Sequence, residues 1–532
     1  MTGTATATPY RSARHTGRDG FLRTLHGEWT KFRTVRGWVI GTVAAALVTV
    51  AVGLLGAAGS SIACSGPDGG SCDHTPRTGP GGEEVRDAMT LVHRSLTGDG
   101  GITVRITSLA GLYAPGGRAQ VGAGPGTGMV AGLQPWTKAG VIVKDGTKEG
   151  SAYAAVALTG GHGVRMQYDY THDLAGTPGA VSASSPRWLR LTRAGDTLTG
   201  YDSTDGTHWA TIGTAHLAGL PATVQMGLFT TSPEYVVTSG SFSGSSYGGP
   251  SKATAAFDSV ALRGRTGGAW TGDLVGGPDR GPGAGGSDLG YKESGGTYTL
   301  TGSGDVAPQV PGRGSPGKTV ETTLVGAFAG LMVVAVIATM FVTAEYRRGL
   351  IRTTLTASPL RGRVLAAKAA VVGAVSFATG LAAAAVAVPL VEAVEKSKHF
   401  PMYPTPFATD VRIVVGTAAL FAVTAVLALA LGTVLRRSAG AVTTVVVAIV
   451  LPYILAVAAV LPAGPSRWLT RLTPAAAFAV QQSVHQYAQV SVDYTPADGY
   501  FPLSPWAGFS VFCGYAAAAV AAAAVLLRRR DA

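Results

Sequence analysis

Six long apolar segments run through the chain, each bounded by polar or basic residues. They cover 38–58, 323–343, 369–390, 413–434, 439–461 and 506–527. Each has about the 20 residues that a helix needs to cross the hydrocarbon core of a bilayer. We therefore expect six transmembrane helices, with a kink at Pro452 in the fifth.

These six segments contain no Asp, Glu, Lys, Arg or His. Carriers driven by protons or ions generally hold ionisable side chains at membrane depth, because those groups bind the coupling ion. The sequence therefore argues against ion-coupled transport, and any transport would draw its energy from another source.

A different pattern precedes the first span. Residues 1–19 are polar and are expected to be disordered. Residues 20–37 place apolar side chains, including Trp29 and Phe32, at helical spacing among basic ones. We expect 1–37 to form a cytoplasmic tail and an amphipathic helix on the inner face of the bilayer. A cytosolic helix without membrane contact is the alternative.

Residues 59–318 have another character, because they are rich in Gly, Thr, Ser and Asp and their apolar residues alternate over short runs. Such runs occupy 102–106, 140–144, 188–193, 197–201, 208–212 and 297–300. Asp205-Gly206 between two of them predicts a tight hairpin. Many short strands with Gly-rich turns predict an antiparallel all-β sandwich, here of the jelly-roll type. Residues 264–296 are expected to be a flexible Gly/Pro linker.

Charge supports a membrane protein and sets its orientation. Only 14 % of residues are charged, against roughly 25 % in soluble domains. The net charge is +12, and its Arg and Lys clusters lie at the ends of apolar segments, as orientation signals do, which argues against a nucleic-acid partner. The clusters place both termini in the cytoplasm of a bacterial cell, 59–318 outside and 319–532 back in the membrane. A cleaved signal peptide is the competing interpretation of 38–58.

Two local motifs have chemical interpretations. Cys64 and Cys72 lie close together in the outer segment, where an oxidising environment would allow a disulfide. Residues 312–319 match the P-loop pattern GxxxxGK[ST], but that site needs a buried strand before it and a helix after it. Pro308 and Pro311 precede the match and oppose a central strand. We therefore interpret the match as a juxtamembrane linker without nucleotide.

The segment between the second and third spans is short and basic. Its distinctive residues are Glu345, Tyr346, Arg347, Arg348, Gly349, Arg352, Arg361 and Arg363. Charge alone would be an ordinary topology signal. However, 345–355 and 361–368 also resemble the cytoplasmic loop of export-type ABC permeases of the second class, and 25–36 is similar to their amphipathic helix.

The resemblance implies a permease subunit of an exporter, driven by a separate ATP-binding cassette subunit that docks on 345–368. It also implies a second permease copy and contact with membrane lipid. ATP and magnesium would bind to the partner, so this chain is expected to be neither an enzyme nor a holder of cofactors. The large outer insertion departs from simpler family members, which leaves the substrate open.

The insertion resembles the concanavalin A-like sandwich of bacterial carbohydrate-active proteins. The similarity lies in 98–106, 136–141, 188–193, 205–209 and 255–260. It implies contact with a glycan or envelope component. Trp136, Trp188 and Trp209 would either stack on sugar rings or fill the core, and we favour the core because large aromatics dominate burial. The alternative function is a non-transporting membrane protein that displays this sandwich.

Overall fold

The structure is a computed structural model in which a helical bundle carries a large β-domain. It describes residues 20–60, 77–115, 128–238, 246–276, 289–311, 317–351, 353, 360–457, 461, 463–490, 494, 496 and 499–529. Cys64, Cys72, Arg352 and most of the P-loop-like match lie outside these residues.

The described residues form eight α-helices. They are α1 Phe21–Thr34, α2 Arg36–Gly59, α3 Ala327–Arg347, α4 Arg361–Ser397, α5 Phe407–Leu435, α6 Ser438–Val457, α7 Ala463–Leu472 and α8 Pro505–Arg529. Among them, α2 to α6 and α8 are long and apolar enough to cross a membrane. These six helices coincide with the six apolar segments of the sequence.

Two helices depart from their predicted bounds. The third span was expected at 369–390, whereas α4 runs from Arg361 to Ser397 and therefore includes Lys368 and Glu395. The apolar run 369–390 itself contains no ionisable side chain, but the longer helix that includes it does. An apolar run marks only the part of a helix that suits hydrocarbon, while the backbone hydrogen bonds continue beyond it. The second span begins later than predicted, because Val320–Leu324 form a separate 3-10 helix.

The core of the bundle is built around α5. In its most apolar stretch 67 % of residues are buried, against 22 % in both α2 and α8. Leu420, Phe421 and Leu429 of α5 contribute to one continuous apolar cluster with side chains of α3, α4 and α8. Consequently α2 and α8 form the outer surface of the bundle.

A buried segment between α7 and α8 was not predicted. Pro474–Gln481 form a 3-10 helix whose eight residues are all buried. It packs closely because glycines face it: a side chain at Gly508 of α8 would meet the carbonyl oxygen of Ala476, and one at Gly416 of α5 would meet Val480. The segment is too short to span a bilayer, so apolar-run analysis does not detect it.

The described part of the β-domain contains seventeen strands. They are β1 Val85–Asp87, β2 Met89–Tyr113, β3 Val130–Ala131, β4 Lys138–Lys144, β5 Tyr153–Thr159, β6 Val164–Tyr168, β7 His172–Ala175, β8 Arg187–Ala194, β9 Thr197–Ser203, β10 Ala210–His216, β11 Thr223–Thr231, β12 Tyr235–Thr238, β13 Ser246–Gly249, β14 Ser251–Val275, β15 Gly290–Ser294, β16 Thr297–Gly302 and β17 Val306–Pro308. Five of the six predicted alternating runs lie entirely in strands and the run 208–212 enters β10 at Ala210; the Asp205-Gly206 turn joins β9 to β10. The prediction of a large antiparallel β-domain is confirmed.

One long strand connects two layers of the main sheet. The first half of β2 pairs with β11, which continues through β4, β5, β6 and β7, and its second half pairs with β8, β9 and β10. The change occurs at Gly98–Gly101, where Gly98 has a φ of +72° that favours glycine. The two layers face each other: a side chain at Gly200 in β9 would meet Val156 of β5 and Met166 of β6. The core between them is apolar.

The linker predicted at 264–296 is wrong at both of its described ends, because 264–275 belong to β14 and Gly290–Ser294 form β15, while 277–288 lie outside the described residues. Ser251–Val275 form the continuous strand β14, which pairs with β2 almost throughout. Register shifts near Gly264 and Gly268 absorb the glycines, both of which have positive φ. Glycine content therefore marked bulges inside a strand as well as turns.

The three tryptophans do not share one environment. Trp136 is 5 % exposed, as the core assignment predicts. Trp188 and Trp209 are only partly buried, so the core assignment is wrong for them. The guanidinium carbon of Arg190 lies 3.7 Å from the ring centroid of Trp209, and that of Arg105 lies 5.6 Å from the ring of Trp188. These contacts are cation–π pairs on the outer face of the sheet.

Candidate functional site

Four charged side chains meet where α1 crosses the bundle beside the ends of α3 and α4. They lie at the end of the helical bundle that also holds Arg347, Arg436 and Arg528, which we call the basic end. We call the opposite end of the bundle the sheet end. Lys368 Nζ of α4 donates to Glu28 Oε2 of α1 at 2.8 Å and to Glu345 Oε1 of α3 at 2.7 Å. Lys31 of α1 donates to the same two carboxylates, at 2.9 and 3.3 Å. We call these four residues the ionic cluster.

The ionic cluster is largely removed from water. The side chains of Lys368 and Glu28 are 2 and 3 % exposed, while that of Lys31 is 41 % exposed and forms the outer edge. Burial lowers the pKa of Lys31, but its hydrogen bonds and charge interactions with Glu28 and Glu345 outweigh this effect, so its pKa is raised. Two carboxylates and two ammonium groups balance formally, which makes the burial tolerable only while all four are present.

An aromatic wall holds the ionic cluster in place. Lys368 Nζ lies 4.8 Å from the ring centroid of Phe341, and Phe341 contacts both Phe32 of α1 and Trp38 of α2. Phe32 is 3 % exposed and belongs to the bundle core. Thus α1 is fastened to α3 and α4 by both an apolar contact and an ion network.

The predicted coupling segment begins and ends in these same helices. Glu345, Tyr346 and Arg347 form the last turn of α3, and Arg361 and Arg363 belong to the first turn of α4. The connection between α3 and α4 is therefore 348–360 rather than the predicted 345–368; Leu350, Ile351 and Thr353 in it are helical, and 352 and 354–359 lie outside the described residues. Gly349 terminates α3 with a φ of +68° and donates its N–H to the carbonyl of Tyr346 at 3.3 Å.

The basic residues of the segment have different surroundings. Arg347, Arg348 and Arg363 are exposed. Arg361 donates to the carbonyl of Leu527 in α8 at 2.7 Å. Tyr346 lies under the guanidinium of Arg436, whose carbon is 5.1 Å from the ring centroid. The exposed arginines thus form a basic surface beside the Tyr346–Arg436 pair and the backbone at the end of α8.

The predicted amphipathic helix is present as α1, and its two anchor residues point in different directions. Phe32 is buried, whereas Trp29 is 43 % exposed beside α2 and α4. Leu22 on the same helix is 75 % exposed. An apolar surface next to basic residues fits a helix at a membrane interface, which stays a prediction for this chain.

Residues 317–319, the described end of the P-loop-like match, lie in surroundings that differ from those of a P-loop. The backbone of Lys318 exchanges hydrogen bonds with Pro401 and Tyr403, and its ammonium lies 4.9 Å from the ring centroid of Phe400. The strand that precedes the match, β17, pairs only with β1 in a two-stranded antiparallel sheet. A P-loop instead follows a strand of a parallel sheet and opens an α-helix.

Sequence reasoning missed the ionic cluster itself. It treated Lys31 and Lys368 as orientation charges and gave Glu28 no role. One signal was available, because Glu28 is the only acidic residue in 20–60 and Lys368 directly adjoins an apolar run. Their pairing across 340 positions could not be read from local spacing. Among the residues described, no group of three His, Cys, Asp or Glu side chains is arranged to hold a metal ion.

Comparison with known proteins identifies the family. A family model described as ABC-2 family transporter protein matches residues 187–532, a span that includes β8 to β17 and α3 to α8. No curated protein matches the chain. Among solved structures, scytalido-glutamic peptidase with a transition state analog inhibitor is 8 % identical, with 40 % of this chain and 98 % of that chain covered and a TM-score of 0.23. A functionally unknown protein from Saccharomyces cerevisiae is 13 % identical, with 33 and 74 % covered and a TM-score of 0.18.

Such low TM-scores support no inference of shared fold or of peptidase activity, and the concanavalin A-like assignment stays a prediction. The family match is different in kind, since it covers well over half of the chain and includes five of the six apolar helices. This chain is a multi-pass membrane protein that belongs to the ABC-2 family of transporter proteins.

Proposed function

We propose that this chain is the transmembrane subunit of an exporter whose energy comes from a separate ATPase. The ATPase docks on the basic surface formed by Arg347, Arg348 and Arg363, at the two ends of the connection between α3 and α4. ATP and magnesium bind to that partner. The family match supports a permease role, and the arrangement at the basic end supports the place of docking.

The single observation that carries this proposal is the ionic cluster. Lys368 connects the two helices that flank the loop to α1, because it bonds at once to Glu345 and Glu28. A force applied to the loop therefore reaches α1 through charged hydrogen bonds, which are about twice as strong as neutral ones. A loop that served only orientation would need its charges but no such buried connection.

We place the basic end in the cytoplasm and the β-domain outside the cell. The Arg clusters at one end of six helices follow the distribution that sets membrane orientation. We also propose that two copies assemble, since α2 and α8 leave most of their surface uncovered in one copy. Lipid covers whatever part of that surface a second copy does not.

Glycan display is less well supported by the β-domain. Sugar recognition by stacking needs an accessible aromatic face. On the outer sheet face, Arg190 lies directly over Trp209, and Trp188 has Arg105 on one side and Gly206 packed against its ring. The side chains that would stack on a pyranose are thus already paired within the domain.

The test is affinity purification from mild detergent with mass spectrometry of the proteins that accompany the chain. We expect an ATP-binding cassette protein with the unaltered chain, and its loss with Arg347→Glu/Arg348→Glu. The matched control is Arg33→Glu/Arg36→Glu, which changes the same charge at the same end, on exposed residues of α1 and α2.

The control separates docking from orientation. Loss of the ATPase with the loop variant alone, at equal abundance of the membrane subunit, supports docking on the loop. Equal loss with both variants would show a general charge effect and contradict the assigned surface. Recovery of the chain without any ATPase would favour the display protein.

A further inference from the structure

A cavity of about 320 Å³ lies at the sheet end of the bundle, far from the ionic cluster. It is bounded by α2, α3, α4 and α6, by both 3-10 helices and by Gln482, Pro496, Gly499 and Phe501. Its volume is at the lower end of the roughly 300–1,000 Å³ of small-molecule sites. Neither the family match nor the docking proposal assigns it a role.

One wall of the cavity is a cluster of three aromatic rings. Phe328 of α3, Tyr453 of α6 and Phe478 of the buried 3-10 helix are mutually in contact, with centroid separations of 4.3, 4.5 and 4.7 Å. Leu324 and Phe501 extend this apolar lining. The wall offers a surface on which an apolar or aromatic group would be desolvated.

Glu395 of α4 faces the same cavity. The residue is 5 % exposed, and its Oε1 accepts a hydrogen bond from the hydroxyl of Ser60 at 3.3 Å. Its Oε2 is buried and has no hydrogen-bond partner among the residues that the structure describes. A buried carboxylate oxygen without a donor destabilises the folded chain, and a donor that enters the cavity would remove this cost.

Glu321, at the start of the first 3-10 helix, is the second acidic residue of the lining. Its Oε2 accepts a hydrogen bond from Ser483, while its Oε1 is buried without a hydrogen-bond partner within the described residues. Gly499, with a φ of +84°, allows this close packing, because a side chain there would meet Oε1. Burial raises the pKa of Glu321 to about 7, although its hydrogen bond with Ser483 acts in the opposite direction.

The nearby lysines are engaged elsewhere. Lys398 donates to the carbonyls of Ala57 and Ser60, each at 2.9 Å, and so caps the end of α2. Lys318 lines the cavity, but its ammonium rests over the ring of Phe400. The described lining thus presents the carboxylates of Glu395 and Glu321 and the ammonium of Lys318, while the guanidinium of Arg412, which donates to the carbonyl of Gln482, also acts on Glu321 electrostatically.

We propose that this cavity binds a protonated amine carried on an apolar body, with the ammonium held by Glu395 and Glu321 and the body against the three aromatic rings. An ammonium group supplies three N–H donors, which suits two carboxylates that each have one oxygen without a donor. An ammonium close to the rings also gains cation–π attraction. The amine belongs either to an exported amphipathic compound or to the headgroup of an amine-bearing lipid.

That the bound amine is an exported compound rests on the proposed function, whereas amine binding in the cavity does not. The experiment therefore uses the full-length purified chain without an ATPase, in nanodiscs of phosphatidylglycerol. Isothermal titration calorimetry compares 2-(1-naphthyl)ethylamine with its uncharged N-acetyl derivative. We expect the amine to bind at least tenfold more tightly. Similar affinities for the two compounds would overturn the proposal without any variant.

Variants then assign the site. Glu395→Gln and Glu321→Gln should each weaken amine binding at least fivefold and leave the N-acetyl compound unaffected. Glu392→Gln is the matched control on α4, because Glu392 pairs with Lys396 outside the cavity. Unchanged amine affinity in both cavity variants would overturn the assignment, even if an ATPase partner is found.

The source of the amine is settled by lipid composition. Phosphatidylethanolamine in the nanodiscs should compete with the naphthyl amine if the natural occupant is a lipid headgroup. Absence of competition indicates an exported compound. Either result is compatible with the site. The site would be contradicted if amine binding stayed the same after a change of lipid, after acetylation of the amine and in both cavity variants.

Discussion

Replacing Lys368 by Met tests the ionic cluster most severely. The change keeps the length and apolar stem of the side chain but removes the ammonium that bonds to Glu28 at 2.8 Å and to Glu345 at 2.7 Å. Both carboxylates would then depend on Lys31, whose side chain is 41 % exposed and whose contact with Glu345 is already 3.3 Å long.

The expected loss can be stated from the structure. Hydrogen bonds to charged groups contribute about 1.5–3 kcal/mol each, and breaking a buried ion pair by removing one partner costs about 3–5 kcal/mol. Since Lys31 compensates in part, we expect Lys368→Met to lower the free energy of unfolding by about 3 kcal/mol. The second change Glu345→Gln should restore a substantial part, because Glu28 and Lys31 then form a balanced pair.

The assay is equilibrium unfolding in mixed detergent micelles, followed by circular dichroism, for the single and double variants. Lys396→Met is the matched control, because that lysine is 60 % exposed and pairs with Glu392 within one helix. Exposed pairs of this kind contribute about 0–1 kcal/mol. A loss below about 1 kcal/mol for Lys368→Met, or additive effects of Lys368→Met and Glu345→Gln, would refute the reasoning.

Three further predictions concern other parts of the molecule. Asp87→Asn should destabilise the β-domain by about 3–5 kcal/mol, because it leaves the fully buried Lys144 without the carboxylate that lies 2.6 Å away. Hydrogen exchange of the amides of β1 and β4 in the full chain would measure this loss. Exchange at the original rate would contradict the prediction. Gly349→Ala should lower the free energy of unfolding by about 1 kcal/mol, because Gly349 has a φ of +68° that favours glycine. It should also weaken recovery of the ATPase in the purification assay, and unchanged recovery would contradict a link between this helix end and docking. For Glu321, the native pKa of about 7 exceeds the ordinary 4.5, so the folded chain keeps a proton that the unfolded chain loses; stability should therefore fall as pH rises from about 4.5 to 7, by at most about 3 kcal/mol. Thermal unfolding between pH 5 and 8 should show a flatter profile for Glu321→Gln, and parallel profiles would show that this carboxyl does not titrate as inferred.

The broad architecture could be predicted from the sequence because it depends on local patterns. Apolar runs of membrane length located all six long helices, and alternating residues located β4, β8, β9 and β16. The limits of these elements were less predictable. The helix α4 continues beyond its apolar run at both ends, and β14 continues through glycines that a linker would also contain.

The functional features depended on contacts between distant residues. Glu28 and Lys368 meet only because α1 packs against α4, and the cavity brings Glu321, Glu395 and Phe478 together from three separate elements. No spacing rule connects such positions in a single sequence. Arg347 and Arg348 could be singled out from the sequence because basic residues beside a span form a local signal, and their role in docking stays a prediction.

The central claim is that a separate ATPase docks on the loop between α3 and α4. The most direct measurement is photo-cross-linking in cells, with a photoreactive phenylalanine analogue in place of Arg348 and, as a control, in place of Arg529 at the same end of the bundle. Our account predicts a cross-linked product from position 348 that contains an ATP-binding cassette protein, and none from position 529. The account would be contradicted by no ATPase product from position 348, or by equal amounts of it from both positions.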